Sequence, residues 1–98
     1  MNQELTVELR QGEQLIRIHR FRFLKAQGCG LSGTDVIVEE GLGPRPDGQP
    51  RCTARPDHRE LVSRPEFTHH GETVEEALAT CLAAIRPRRF YELFLPKA

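Results

Sequence analysis

Apolar and polar positions alternate over the first half of the chain and then change to helical spacing. Leu5-Thr6-Val7-Glu8-Leu9-Arg10 alternates as a half-buried strand does. Gln11-Gly12-Glu13 reads as a tight turn, with Gly12 free to take positive φ. A second, longer strand is expected over residues 14–24. Ile16 and Ile18 share one parity along it, Phe21 and Phe23 the other. A bulge near His19-Arg20 would bring all four to the core side; without one, the strand has two apolar faces. Lys25 to Gly33 carries Gly28, Gly30 and Gly33 and reads as a loop. Asp35-Val36-Ile37-Val38-Glu39-Glu40 reads as a third strand.

Gly41 to Pro56 holds several glycines and prolines, and proline removes ladder donors, so a Pro/Gly-rich loop over about 41–56 is expected in place of a regular central strand. Asp47-Gly48 suits the tip of a wide hairpin. Asp57 to Arg64 fits either a single helical turn, with Asp57 and Glu60 at capping-box spacing, or a short strand at Leu61-Val62. Glu66-Phe67-Thr68 reads as an extended piece leading into a helix.

That helix is the best-specified element. Thr73 stands three residues before Glu76 at its start, and Pro87 stops it. Val74, Ala77, Leu78, Cys81, Leu82 and Ile85 recur at helical intervals and form one apolar stripe. Glu72, Glu75 and Glu76 lie at the positive end of its dipole, and Arg86, Arg88 and Arg89 at or beyond the negative end. After it, Phe90-Tyr91-Glu92-Leu93-Phe94-Leu95 is almost wholly apolar and fits an edge strand or a tail packed across a sheet. The predicted architecture is one α+β domain over residues 1–98. It is a two-layer sandwich of three or four antiparallel strands covered by one C-terminal helix, about 73–86.

Composition narrows the function. A length of 98 residues, 38% hydrophobic and 29% charged, suits a single small domain. Formal net charge is zero, which disfavours a general polyanion binder. Twelve of the fourteen basic residues are arginine, the side chain suited to bidentate pairing with carboxylates or phosphates. No apolar run is long enough to span a membrane, and Met1-Asn2-Gln3-Glu4 does not begin a secretory signal. Three cysteines without such a signal favour free thiols and a cytoplasmic location.

The residues offer little catalytic chemistry. His58, His69, His70 and Cys52 lack the paired spacing of a zinc site, and adjacent His69 and His70 would point to opposite sides of an extended segment. Cys29 lies between two glycines with no base assignable to it. Gly41-Leu42-Gly43 is followed by prolines and not by a helix that could hold a phosphate. No cofactor and no metal are expected.

The segment Phe67-Thr68-His69-His70-Gly71-Glu72-Thr73-Val74-Glu75-Glu76-Ala77-Leu78 resembles a short signature of HicB-type antitoxin domains, over about residues 67–86. In that family a core strand runs into Gly-x-Thr-x-Glu-Glu-Ala, which opens a helix packed on a small antiparallel sheet. The resemblance implies a partly RNase-H-like α+β unit that binds a small toxin and often carries a separate DNA-binding segment. It assigns no role to any single residue.

The expected function is that of a small non-enzymatic interaction or regulatory module, its partner another protein or a second copy of itself. Arg17, Arg20 and Arg22 on the basic strand, and Phe90, Tyr91 and Phe94 on the apolar tail, are the candidate partner-binding residues. The alternative is nucleic-acid binding, or a HicB-like regulator, through the basic strand 17–25, where arginines interleave with aromatics.

Overall fold

The computed structural model describes residues 7–43 and 48–96. Four antiparallel strands form the main sheet. They are β1 (Leu15–Gln27), β2 (Gly30–Leu42), β3 (Cys52–Asp57) and, after a short strand β4 (Leu61–Ser63), β5 (His69–Gly71). The spatial order is β1-β2-β3-β5. Helix α1 (Val74–Ile85) follows β5 and packs mainly on β5 and β3, less on β2. A final strand β6 (Phe94–Pro96) pairs with β4 in a separate two-stranded ribbon. The domain is therefore the α+β sheet-and-helix unit that the patterning predicts.

β1 and β2 form one long hairpin whose pairing runs unbroken from Leu15↔Leu42 to Gln27↔Gly30. The glycine-rich segment 25–33 is not a loop. Only Gly28 and Cys29 form the turn, and Gly28 supplies the positive φ of 62° that such a tight connection needs. Gly30 and Gly33 lie within β2. Nor is there a bulge at His19-Arg20, so strict alternation holds. Phe21 and Phe23 take the helix side, while Ile16 and Ile18 share the opposite face with Arg20 and Arg22. Of β1, only Phe23 packs against the buried cluster.

The first predicted strand does not form where it is described. Residues 7–10 are irregular, while Leu5 and Thr6 lie outside the described residues. The turn after them is present, with Glu13 N–H donating to Arg10 O at 3.0 Å and Gly12 at φ 85°. The predicted loop 41–56 ends early, because Cys52–Asp57 is a strand despite Pro56. β5 pairs only with Cys52 to Ala54, so Pro56 lies where β3 has β2 as its one ladder neighbour and its missing donor costs no bond on the other side. Gly48 takes φ 80° within the β2–β3 connection; its proposed turn partner Asp47 lies outside the described residues. Of the two options for residues 57–64, the short strand is the one that forms. Pro65–Phe67 is a 3₁₀ turn and not an extended piece, and it presses Phe67 into the core.

α1 begins as its sequence specifies: Glu76 N–H donates to the Thr73 hydroxyl oxygen at 3.0 Å. Ala77, Cys81 and Ile85 are fully buried on its apolar stripe, with Val74, Leu78 and Leu82 flanking them. They meet Val36, Val38, Cys52 and Ala54 from the sheet and Leu93 and Phe94 from the tail. The Cys81 thiol donates to Phe67 O at 3.5 Å, and burial pushes its pKa up to about 11.

Candidate interaction site

Two faces and one edge of the β1–β2 hairpin carry most of the exposed chemistry. The face away from α1 holds Arg20 and Arg22 of β1, Asp35, Ile37 and Glu39 of β2, and Arg55 and Asp57 of β3, brought into line by register. Arg20 Nη1 donates to Asp57 Oδ2 at 2.8 Å and to Asp35 Oδ2 at 3.3 Å. Arg22 Nε donates to Asp35 Oδ1 at 2.9 Å, and Arg55 pairs with Glu39. The Arg22 hydrogen bond, aided by Arg20, holds the Asp35 carboxyl below its ordinary pKa against a smaller opposing effect of burial. Asp57, then Asp35, hold the Arg20 guanidinium still more firmly protonated. Ile37 is buried within this polar sheet face.

The predicted basic strand is thus real, but its charge is largely matched on this face. Basic and aromatic residues are also split between surfaces. Phe21 and Arg17 lie on the helix side, Arg20 and Arg22 on the other. On the helix side His19 Nε2 lies 2.9 Å from Glu40 Oε1, whereas Arg17 makes no hydrogen bond or ion pair among the described residues. Lys25 Nζ donates to the carbonyls of Arg86 and Arg88 at 2.8 and 2.5 Å, a cation at the negative end of α1, and lies over the Phe90 ring.

The edge is the distinctive feature. Among the described residues β1 has β2 as its one ladder neighbour, so the other side of a strand about 40 Å long offers unpaired backbone groups. Beside it Ile16 and Ile18 are 45% and 61% exposed, and the Arg20 and Arg22 side chains 55% and 71%. Alternation alone left these faces open between a bulged and an unbroken strand, and the availability of the edge could not be read from it. A strand reveals its neighbours only in the sheet.

The tail candidates are placed differently from expectation. Phe94 is 7% exposed and belongs to the core, so it is not a surface residue; Leu93 is fully buried beside it. Phe90 is half-buried, edge-on to Phe23 at 6.2 Å between centroids. Tyr91 remains 72% exposed. Between the tail and the sheet runs an open groove of about 820 Å³, lined by Arg22, Leu24, Asp57, His58, Phe90 and Tyr91.

The histidines and cysteines do not converge. Cys29 is exposed at the hairpin tip, Cys52 is buried in β3, and the His58 ring lies 5.5 Å from that of Phe94. His70 meets the Thr53 hydroxyl at 3.1 Å on one side of β5. His69 takes the other, its Nε2 buried without a partner. No group of three His, Cys, Asp or Glu among the described residues is placed to hold a metal, and no helix among them is long and apolar enough to cross a membrane. Comparison with known proteins found no matching family model, no matching curated protein and no matching solved structure.

Proposed function

We propose that this protein is a small non-enzymatic interaction module of the cytoplasm that binds a partner protein along the free edge of β1. The observation that carries the reading is the edge of a thirteen-residue strand that is unpaired among the described residues, flanked by exposed Ile16 and Ile18. Natural edge strands are usually short, covered or bulged, and a long flat one invites another strand. Strand addition supplies main-chain hydrogen bonds for affinity and alternating side chains for selectivity. The exposed thiol of Cys29 suits a reducing compartment.

The nucleic-acid alternative uses the same strand, including the HicB-like version of it. It needs arginines and stacking aromatics on one surface. Arg20 and Arg22 share Asp35 and Asp57 on the face opposite Phe21, and of the three arginines Arg17 alone lies on the Phe21 face, which favours the protein reading. The test is affinity capture from the native cell with the wild-type chain and an Ile18→Asp variant. The expected result is a copurifying protein lost from the variant while its melting temperature is unchanged. A partner retained equally by both, or binding restricted to nucleic acid, would reject the proposal.

A further inference from the structure

We infer that the strand accepted by β1 is acidic, with carboxylates opposite Arg20 and Arg22 and apolar side chains opposite Ile18 and Ile16. This deepens the edge-binding reading and rests on it. From Leu15 to Gln27 the strand carries Arg17, Arg20, Arg22 and Lys25 and no acidic residue. One strand inward the sign reverses, with Asp35, Glu39 and Glu40 on β2. An acidic row outward from β1 complements its charge, because opposite charges on neighbouring strands stabilise a sheet.

The guanidiniums have donors to spare. Arg20 uses Nη1 for both of its aspartates and Arg22 uses only Nε, out of five N–H donors on each. Both side chains are more than half exposed. Arg22, whose partner Asp35 lies directly across on β2, can take a carboxylate from an added strand on its remaining donors, whereas Arg20 reaches inward to Asp57 on β3 and must turn outward to do the same. Next to them Ile16 and Ile18 on the same face present an apolar surface. Read antiparallel, the complementary pattern is acid-x-acid-x-apolar-x-apolar.

The same charges disfavour the longest self-pairings of this strand. Antiparallel self-pairing centred on Phe21 gives the greatest overlap, and it sets Arg20 opposite Arg22 and Arg17 opposite Lys25. Centring on Arg20 or on Arg22 sets that arginine against itself. Charge therefore works against full self-overlap and for a segment of opposite sign, while the shorter register centred on His19, which opposes no two arginines or lysines, makes a dimer the competing outcome.

The test uses the full chain, isotope-labelled, with three synthetic peptides followed by amide chemical shifts at low salt. One is Glu-Thr-Glu-Thr-Val-Thr-Ile, the second replaces both glutamates with lysine, and the third places proline at the valine, whose N–H would face Ile18 because the even-numbered residues of β1 turn their backbone groups outward. The first should shift amides along β1, bind about tenfold tighter than the second, and weaken as salt is added. The proline peptide should not bind, and Arg22→Gln should weaken the first peptide severalfold while the amide shifts of α1 and β5 in the peptide-free chain stay as in wild type. Equal binding of the lysine peptide at β1 would overturn the acidic assignment and leave edge binding intact. So would a concentration-dependent dimer that broadens β1 amides. β1 outer amides already protected from exchange in the peptide-free monomer, or no shift of β1 by any peptide, would overturn both readings. Equal binding of the proline peptide would show that no strand is added, and the inference fails.

Discussion

Gly71, at the junction of β5 and α1, has no room for a side chain: a Cβ there would lie 2.7 Å from the Ala77 amide nitrogen. The neighbour is backbone of the first helical turns, which cannot swing aside. Gly71→Ala should therefore cost about 1–3 kcal/mol in chemical denaturation, as overpacking does. Asp35 carries a pH signature. Its folded-state pKa is depressed by Arg22 and Arg20, so its contribution to stability is fully present above the unfolded value of about 3.9 and is lost as pH falls through the lowered one. Wild type should thus exceed Asp35→Asn in melting temperature at neutral pH, and the two should converge in strong acid. The thiols separate by burial. Cys29 is exposed while Cys52 and Cys81 are buried, so a thiol reagent should titrate one group in the native chain and three after unfolding. The burial of Cys81 was legible from the helical stripe, because that signal is local. The crowding at Gly71 was not, since it depends on how β5 meets the helix.

At the scale of elements, α1 is the most nearly self-specifying piece. Its cap, stripe and stop all lie within about fifteen residues, and each is realised. Ile85→Ala should lower unfolding free energy by about 2–5 kcal/mol, because the side chain is fully buried between sheet and tail. Thr73→Ala should cost about 0.5–2 kcal/mol through loss of the bond to Glu76. Strands were harder to read, for physical reasons that differ by position. Gly30 and Gly33 suggested a loop, yet they fit in β2; a Cβ on Gly33 would crowd only the end of the flexible Leu24 side chain. Pro56 argued against β3, but at that position the strand has lost its neighbour on one side. The apolar parity shift in β1 suggested a bulge, where the strand instead leaves Ile16 and Ile18 in solvent.

For the molecule as a whole, width explains what the elements leave open. Four strands at about 4.8 Å spacing span more than a helix about 10 Å across can cover. α1 is also only twelve residues long, about 18 Å, against a hairpin more than twice that. It settles over β5 and β3, and among the described residues β1 is left uncovered and gives no side chain to the buried cluster. The candidate site was half legible in the sequence. Arg17, Arg20 and Arg22 were visible as a basic strand, but their pairing with β2 and β3 depends on contacts distant along the chain. Of the tail residues, Phe94 proved to be core.

The uncovered position of β1 also divides the molecule by how easily it opens. Separating this strand breaks one ladder and frees Phe23 and Lys25 while the cluster beneath α1 stays closed. Subglobal opening should begin there, so native-state deuterium uptake should be fast along residues 15–22 and slowest in β3 and the buried turns of α1.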